Sequence, residues 1–291
     1  MLDASGLVHR YPDGTRALDG VNLRIGVGLF GLLGPNGAGK STLMRILATV
    51  QRPSEARHYR FGDIDGLAEP DRLRRTLGYL PQDFGSYPHI SAAEMLDHLA
   101  LLKGIAGRGA RRELVEQLLV RVHLWSARGK PLTAMSGGMR QRFGIAQALI
   151  GDPRLLIVDE PTAGLDPEER FRCLDLLAQA ADKAVVILST HLVADAAALC
   201  SQVAVIAGGR VLLSGAPADL ADALAGQVWQ GEIAREELPA LRQDGRLLSA
   251  RFDGGRLVAH VRTVEGVGPG FAPIRPSLED AYFAAVATGA P

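Results

Sequence analysis

The chain has few cysteines, few aromatic residues, no surplus of either charge and no long apolar run, and each shortage removes a class of protein. Only Cys173 and Cys200 occur in 291 residues. They lie in apolar helical surroundings and form no CxxC pair, so free thiols in a reducing compartment are expected rather than a disulfide framework. Lysine plus arginine and aspartate plus glutamate each number 32, a formal net charge of +0. That leaves no basic excess to hold a polyanion without sequence preference, and nucleic acid is not expected as a partner. No stretch of about 18 uninterrupted apolar residues is present. The opening MLDASGLVHRY lacks the charged start and apolar centre of a secretion signal. A cytoplasmic protein is expected, with any membrane role supplied by a partner. His9, His58, His89, His98, His123 and His260 make no ligand spacing with one another, so no zinc site is expected.

What is present centres on GPNGAGKST, Gly34 to Thr42. The stretch fits G-x4-G-K-S/T, with Gly34, Gly39, Lys40 and Ser41 in the fixed places. The apolar run Val27, Leu29, Phe30, Leu32, Leu33 precedes it, and Leu43, Ile46, Leu47 and Val50 follow at helical spacing. A loop joining a buried strand to a helix is predicted. After Pro35, the backbone N–H groups of residues such as Asn36, Gly37 and Ala38 can curl around a phosphate, helped by the positive end of the helix dipole. Lys40 is expected to reach the β- and γ-phosphates, and the Ser41 hydroxyl to be a ligand of Mg2+.

Four further stretches carry chemistry. Leu77 to Leu80 reads as a strand whose end at Pro81 delivers Gln82 into a loop. In MSGGMRQR, Ser136 is a plausible N-cap, and Gly137 and Gly138 leave N–H groups open at a helix start; that is an anion site or simply a flexible helix beginning. Leu155 to Val158 is an apolar strand ending in Asp159 and Glu160. Neighbouring strand residues point opposite ways, so one carboxylate can serve Mg2+ and the other a water. Val185 to Leu188 is a further buried strand, with His191 just beyond its end. Tyr11, ahead of a turn at Pro12 to Gly14, either packs or does more.

The remainder reads as scaffold. Ser91 to Glu94 is a capping box opening a helix, and a second helix spans about Arg111 to Leu124. Asp166 and Pro167 cap and open another. Residues 51 to 65 look irregular, with a strand over Phe61 to Ile64, and Arg72 to Arg75 is read as a solvated basic stretch. Val203 to Ala207 and Val211 to Ser214 form a hairpin across Gly208 and Gly209. A short helix runs from about Pro217 to Ala225, and beyond Gly226 short alternating segments suggest a small α+β unit.

Taken together the motifs resemble the nucleotide-binding subunit of an ATP-binding cassette transporter. GPNGAGKST at 34 to 42, YLPQ at 79 to 82, MSGGM at 135 to 139, LLIVDEP at 155 to 161, AGLD at 163 to 166 and STH at 189 to 191 stand in the family's order. The resemblance implies an α/β fold: a P-loop NTPase core with an N-terminal antiparallel β subdomain, a helical insertion and a small C-terminal α+β extension. It divides the chain into a cassette at 1–225, with helices at about 85–150, and an accessory unit at 226–291. It implies ATP and Mg2+ as cofactors, with Tyr11 stacking on adenine, Thr42 within the phosphate loop, Gln82 and Asp159 at Mg2+, Glu160 as general base and His191 at the γ-phosphate. Ser136, Gly137 and Gly138 match the signature that contacts ATP held by the other subunit, so a head-to-tail homodimer with two ATP molecules is expected. The chain departs from the family at Met139, where glutamine is usual, and at residues 53 to 60, where a glycine turn is missing. PSLEDAYF at 276 to 283 is similar to the tail of ABC-2-type drug and antibiotic exporters, which implies export through a separate membrane permease and attachment to the cytoplasmic face of the membrane. The rival, a soluble cassette ATPase acting on nucleic acid or ribosomes, lacks support from coiled-coil arms, a second cassette or basic charge.

Overall fold

The computed structural model describes residues 1–85, 89–268 and 270–289. The expected helical segment from about 85 includes 86–88, and the expected C-terminal unit includes 269, 290 and 291; these lie outside the described residues. The chain begins with β1 (Leu2–Arg10), β2 (Arg16–Ile25), β3 (Gly28–Leu33) and α1 (Lys40–Leu47), then β4 (His58–Phe61), β5 (Ile64–Asp65), α2 (Pro70–Arg75) and β6 (Leu77–Leu80). Three helices follow: α3 (Ala92–Leu102), α4 (Arg108–Arg121) and α5 (Gly137–Ala148). Strand and helix then alternate through β7 (Leu155–Asp159), α6 (Pro167–Ala181), β8 (Val185–Thr190), α7 (Val193–Leu199), β9 (Gln202–Ala207), β10 (Arg210–Gly215) and α8 (Pro217–Asp222). Last come β11 (Val228–Glu232), α9 (Leu238–Gln243), β12 (Leu247–Asp253), β13 (Arg256–Arg262), β14 (Phe271–Pro273) and α10 (Leu278–Gly289).

Side-chain alternation explains why the central strands are apolar throughout. The six-stranded sheet has the order β10-β9-β3-β8-β7-β6, parallel except for the β9–β10 hairpin. Leu156 and Val158 of β7, with Val186 and Leu188 of β8, face one core, shared with α3 to α6. Leu155 and Ile157, with Val185 and Ile187, face a second core, built with α1 and the N-terminal sheet β2-β1-β4-β5. A sheet covered on both faces needs apolar residues at every position.

The helix starts follow local chemistry. Ser91 Oγ accepts the Glu94 N–H at 3.3 Å, while Glu94 accepts the Ser91 N–H at 2.9 Å, completing the capping box of α3. Ser136 Oγ accepts from Met139 N–H at 3.2 Å at the start of α5. Asp166 caps α6 through the Glu169 N–H at 2.9 Å, with Pro167 at the first helical position.

One expectation is corrected. The strand read over Phe61 to Ile64 is a hairpin, with Phe61 paired to Ile64 and Gly62 turning the chain at φ 60°. Ahead of it, residues 54–57 lie against β1: Val8 N–H donates to Glu55 O and Arg57 N–H to Ser5 O, so backbone pairing orders this segment without the usual glycine turn. The arginines of the basic stretch Arg72 to Arg75 are exposed, as expected, and lie in the last turn of α2, where Arg72 pairs with Glu69 and Asp63 and Arg74 with Asp71. Cations at a helix C-terminus are favoured by its dipole.

The C-terminal residues form their own antiparallel sheet, β12-β13-β11-β14. Helix α10 returns toward the central layers, with Leu278, Tyr282 and Val286 against the first core and Ala281 and Ala284 in a smaller cluster with Leu224 and Val228. His260 and Asp280 are buried together there, Nδ1 to Oδ1 at 2.7 Å.

Candidate functional site

Sheet order brings distant segments to one edge. Since β3, β8, β7 and β6 run parallel and side by side, the loops after their C-terminal ends adjoin. Those loops carry the glycine-rich stretch, His191, Glu160 and Gln82, at the edge where open parallel sheets bind ligands. Tyr11, Asn36 to Thr42, Gln82, Glu160 and His191 line one cleft of about 790 Å³.

The loop from Gly34 to Gly39 is shaped by backbone. Gly39 sits at φ 103°, and a Cβ there would stand 2.4 Å from the carbonyl oxygen of Ala17 on β2, so only glycine fits. Helix α1 starts at Lys40, and the amides of its first turn have no intrahelical acceptor, which turns a row of N–H groups toward the cleft. Lys40 is buried and donates from Nζ to the carbonyl oxygens of Gly34 at 2.7 Å and Pro35 at 3.1 Å. Burial lowers its pKa, and the nearby Glu160 and Asp159 carboxylates oppose that shift. An anion beside a buried ammonium favours its charged form.

Glu160 and Asp159 face different surroundings, and the cause is not strand alternation: β7 ends at Asp159, and the chain turns at Glu160. Asp159 is 2% exposed and accepts a hydrogen bond from the Ser189 hydroxyl on β8. Glu160 has φ 50°, a left-handed conformation costly for a side chain of this size. Its N–H donates to Ser189 Oγ at 3.0 Å and Ser189 O at 3.2 Å, which holds the strained residue in place. His191 donates its Nδ1–H to Glu160 Oε2 at 2.8 Å.

Tyr11 follows β1 and stands at the cleft's other wall, its hydroxyl hydrogen-bonded to Thr42 Oγ1 at 2.9 Å and accepting from Arg45. Gly34, Pro35 and Asp159 lie behind the lining. Ser136, Gly137 and Gly138 are not brought to it. Gly137 instead lines a separate cleft of about 390 Å³ that shares Gln82 with the first. A Cβ on Gly138 would lie 2.6 Å from Glu169 Oε2, because Glu169 of α6 forms an ion pair with buried Arg142 of α5 at 3.1 Å.

Three contributors were missed in the sequence. Arg45 lines the cleft one helical turn beyond Ser41 and donates to its carbonyl, a spacing that placed it on the same face. Arg16 lies at the start of β2, and nothing local marked it. Ser189 links both carboxylates, although only its place beside His191 drew notice. Among the described residues no group of three or more His, Cys, Asp or Glu could hold a metal by itself. A divalent cation here would be shared between Ser41, Gln82, Asp159 and bound phosphate, a sparse oxygen set of the kind Mg2+ takes at nucleotides.

Comparison with known proteins gives the family. Residues 18–163 match the family described as ABC transporter. The chain belongs to the ABC transporter family. It is 38% identical over 253 residues to the daunorubicin/doxorubicin resistance ATP-binding protein of Streptomyces peucetius, covering 86% of this chain and 75% of that protein. It is 35% identical over 245 residues to the Nod factor export ATP-binding protein I of Ralstonia nicotianae, covering 83% and 75%. Among solved structures, the dimeric structure of a bacterial ABC transporter cassette is similar at TM-score 0.69 and 26% identity, covering 74% of this chain and 98% of that one. As an ABC transporter family member, the chain carries an ATPase cassette that binds ATP. The family match ends at residue 163, so the placement of His191 beside Glu160 rests on the geometry of this structure. No helix of the described residues is long and apolar enough to cross a membrane.

Proposed function

We propose that this chain is the ATP-hydrolysing subunit of an exporter and that two copies enclose two ATP molecules head to tail. The observation that carries the reading is the cleft itself, where a glycine-built anion loop, a buried lysine and a strained carboxylate held by histidine converge. Tyr11 packs on the adenine, and the amides of residues 36 to 42 and Lys40 Nζ hold the β- and γ-phosphates. Glu160 orients a water in line with the γ-phosphorus and accepts its proton as the new O–P bond forms and the bond to the β-phosphate oxygen breaks. His191 fixes the Glu160 carboxylate and faces the γ-phosphate. Ser41, Gln82 and Asp159 would hold Mg2+, which would supply neutralisation of phosphate charge. Donors placed in advance around the phosphates provide most of the rate enhancement.

The dimer reading is supported by the separation of Ser136 to Gly138 from the cleft of their own chain, which leaves these helix-start amides free for a nucleotide on another copy. The dimeric cassette with similar structure and the relatives named for drug resistance and Nod factor export support the rest. A separate membrane permease would receive the motion through the Gln82 loop and α3 to α5, and would hold the subunit at the cytoplasmic face. We assign residues 1–225 to the cassette and 226–291 to an accessory unit. Sedimentation of the Glu160→Gln variant tests the dimer: a monomer without nucleotide and a dimer with Mg-ATP are expected. A monomer under saturating Mg-ATP contradicts it.

A further inference from the structure

Asp195 is 6% exposed, lies four residues beyond His191 and is not part of the nucleotide cleft's lining. Its carboxylate gathers donors from two other segments. Arg170 of α6 donates from Nε at 3.0 Å to Oδ1 and 3.2 Å to Oδ2, and again from Nη2. Thr162, two residues past Glu160, donates from Oγ1 at 3.5 Å. A buried carboxylate needs hydrogen-bonding partners, and here they tie α7 to α6 and to the loop that leaves Glu160.

The imidazole that depends on this placement is weakly held by itself. His191 is about half exposed, and its side-chain partner is Glu160. The backbone beyond it is set by Leu192 N–H donating to Thr190 Oγ1 at 3.0 Å and by Asp195 N–H donating to Leu192 O at 3.1 Å. From these contacts we infer that Asp195 is a positioning residue for hydrolysis: through Arg170 and Thr162 it locks the start of α7 to the Glu160 loop, and thereby keeps His191 within reach of the Glu160 carboxylate. Asp195 itself does not line the nucleotide cleft. The inference rests on the proposed roles of Glu160 and His191.

Asp195→Asn preserves size and removes the charge that pairs with Arg170. Phosphate release by the full chain should show kcat reduced about tenfold or more, the scale expected when a reacting group is displaced by a fraction of an ångström, with KM for ATP within about twofold of the parent. In a His191→Ala background, followed by single turnover with enzyme in excess, the same substitution should cause no further loss. Thr162→Val, which deletes one donor at nearly constant shape, should repeat the pattern more mildly and serves if Asp195→Asn does not fold. An unchanged kcat, a loss carried in KM, or an equal extra loss in the His191→Ala background overturns the inference. A parent protein that releases no phosphate at all would instead overturn the proposed function.

Discussion

Glu160 and His191, 31 residues apart in sequence, are joined carboxylate to imidazole at 2.8 Å across the edge of the central sheet. The bond forms because β7 and β8 are adjacent parallel strands that end together. His191→Ala leaves the Glu160 carboxylate without that partner, while the phosphate loop is untouched. Steady-state phosphate release should fall about 100-fold, in the range for loss of a group assisting proton transfer. ATP affinity, measured by displacement of a fluorescent analogue, should change less than threefold, on the order of 0.6 kcal/mol.

The two signature glycines should behave differently when given a methyl group. At Gly138 the Cβ meets Glu169 within 2.6 Å, whereas at Gly137 nothing stands within 4 Å. Gly138→Ala is expected to lower stability by about 1–3 kcal/mol, the usual cost of overpacking. Gly137→Ala should leave the thermal midpoint nearly unchanged and, in the proposed dimer, reduce hydrolysis by crowding the partner's nucleotide. Thermal unfolding and phosphate release of the two variants separate these effects.

Cys173 and Cys200 are both buried, and burial pushes each thiol up to about 12. Thiolate is the reactive species, so native protein at pH 8 should react with a chromogenic disulfide reagent only as fast as it opens. In denaturant both thiols should react within seconds to minutes. Rapid labelling of native protein would contradict the burial of these helices.

The His260–Asp280 pair ties α10 to the C-terminal sheet. Burial alone would raise the Asp280 pKa; hydrogen bonds from His260 and Ser277 outweigh it and hold the carboxyl below its ordinary value. A depressed folded pKa means the contribution is fully present above the unfolded value, about 3.9, and is lost as pH falls through the folded value. Asp280→Asn should cost about 1–3 kcal/mol near pH 7. The difference from the parent protein should stay level down to about pH 5 and shrink below it. A gap that widened on acidification would contradict the pairing.

How far the sequence carried the structure depended on whether the cause was local. The phosphate loop was legible because Gly34, Gly39, Lys40 and Ser41 lie within eight residues and the strand and helix flanking them announce themselves by period. The caps at Ser91 and Asp166 are four-residue patterns and were legible for the same reason, whereas Ser136 read as a cap beside the alternative of a flexible helix start. The meeting of Glu160 with His191 needed the order of strands in the sheet, a long-range property; resemblance implied a role for each but not their contact. The φ of Glu160 and the tethering of Asp195 left no trace at all, since each is imposed by contacts with β8, α6 and α7. The hairpin at Phe61 to Ile64 was misread because an apolar strand pattern was carried across Gly62 and Asp63, whose turn-forming character deserved precedence. Helix α2, six residues long, is too short to show a period.

The central claim is that this cleft hydrolyses ATP with Glu160 taking the proton of the attacking water. Its most direct test is phosphate release and ATP binding measured side by side for the parent protein and Glu160→Gln, which keeps the shape of the residue and removes its basicity. The account predicts ATP binding within about threefold of the parent and hydrolysis reduced by about 100-fold or more. Turnover at the parent rate in Glu160→Gln would contradict it.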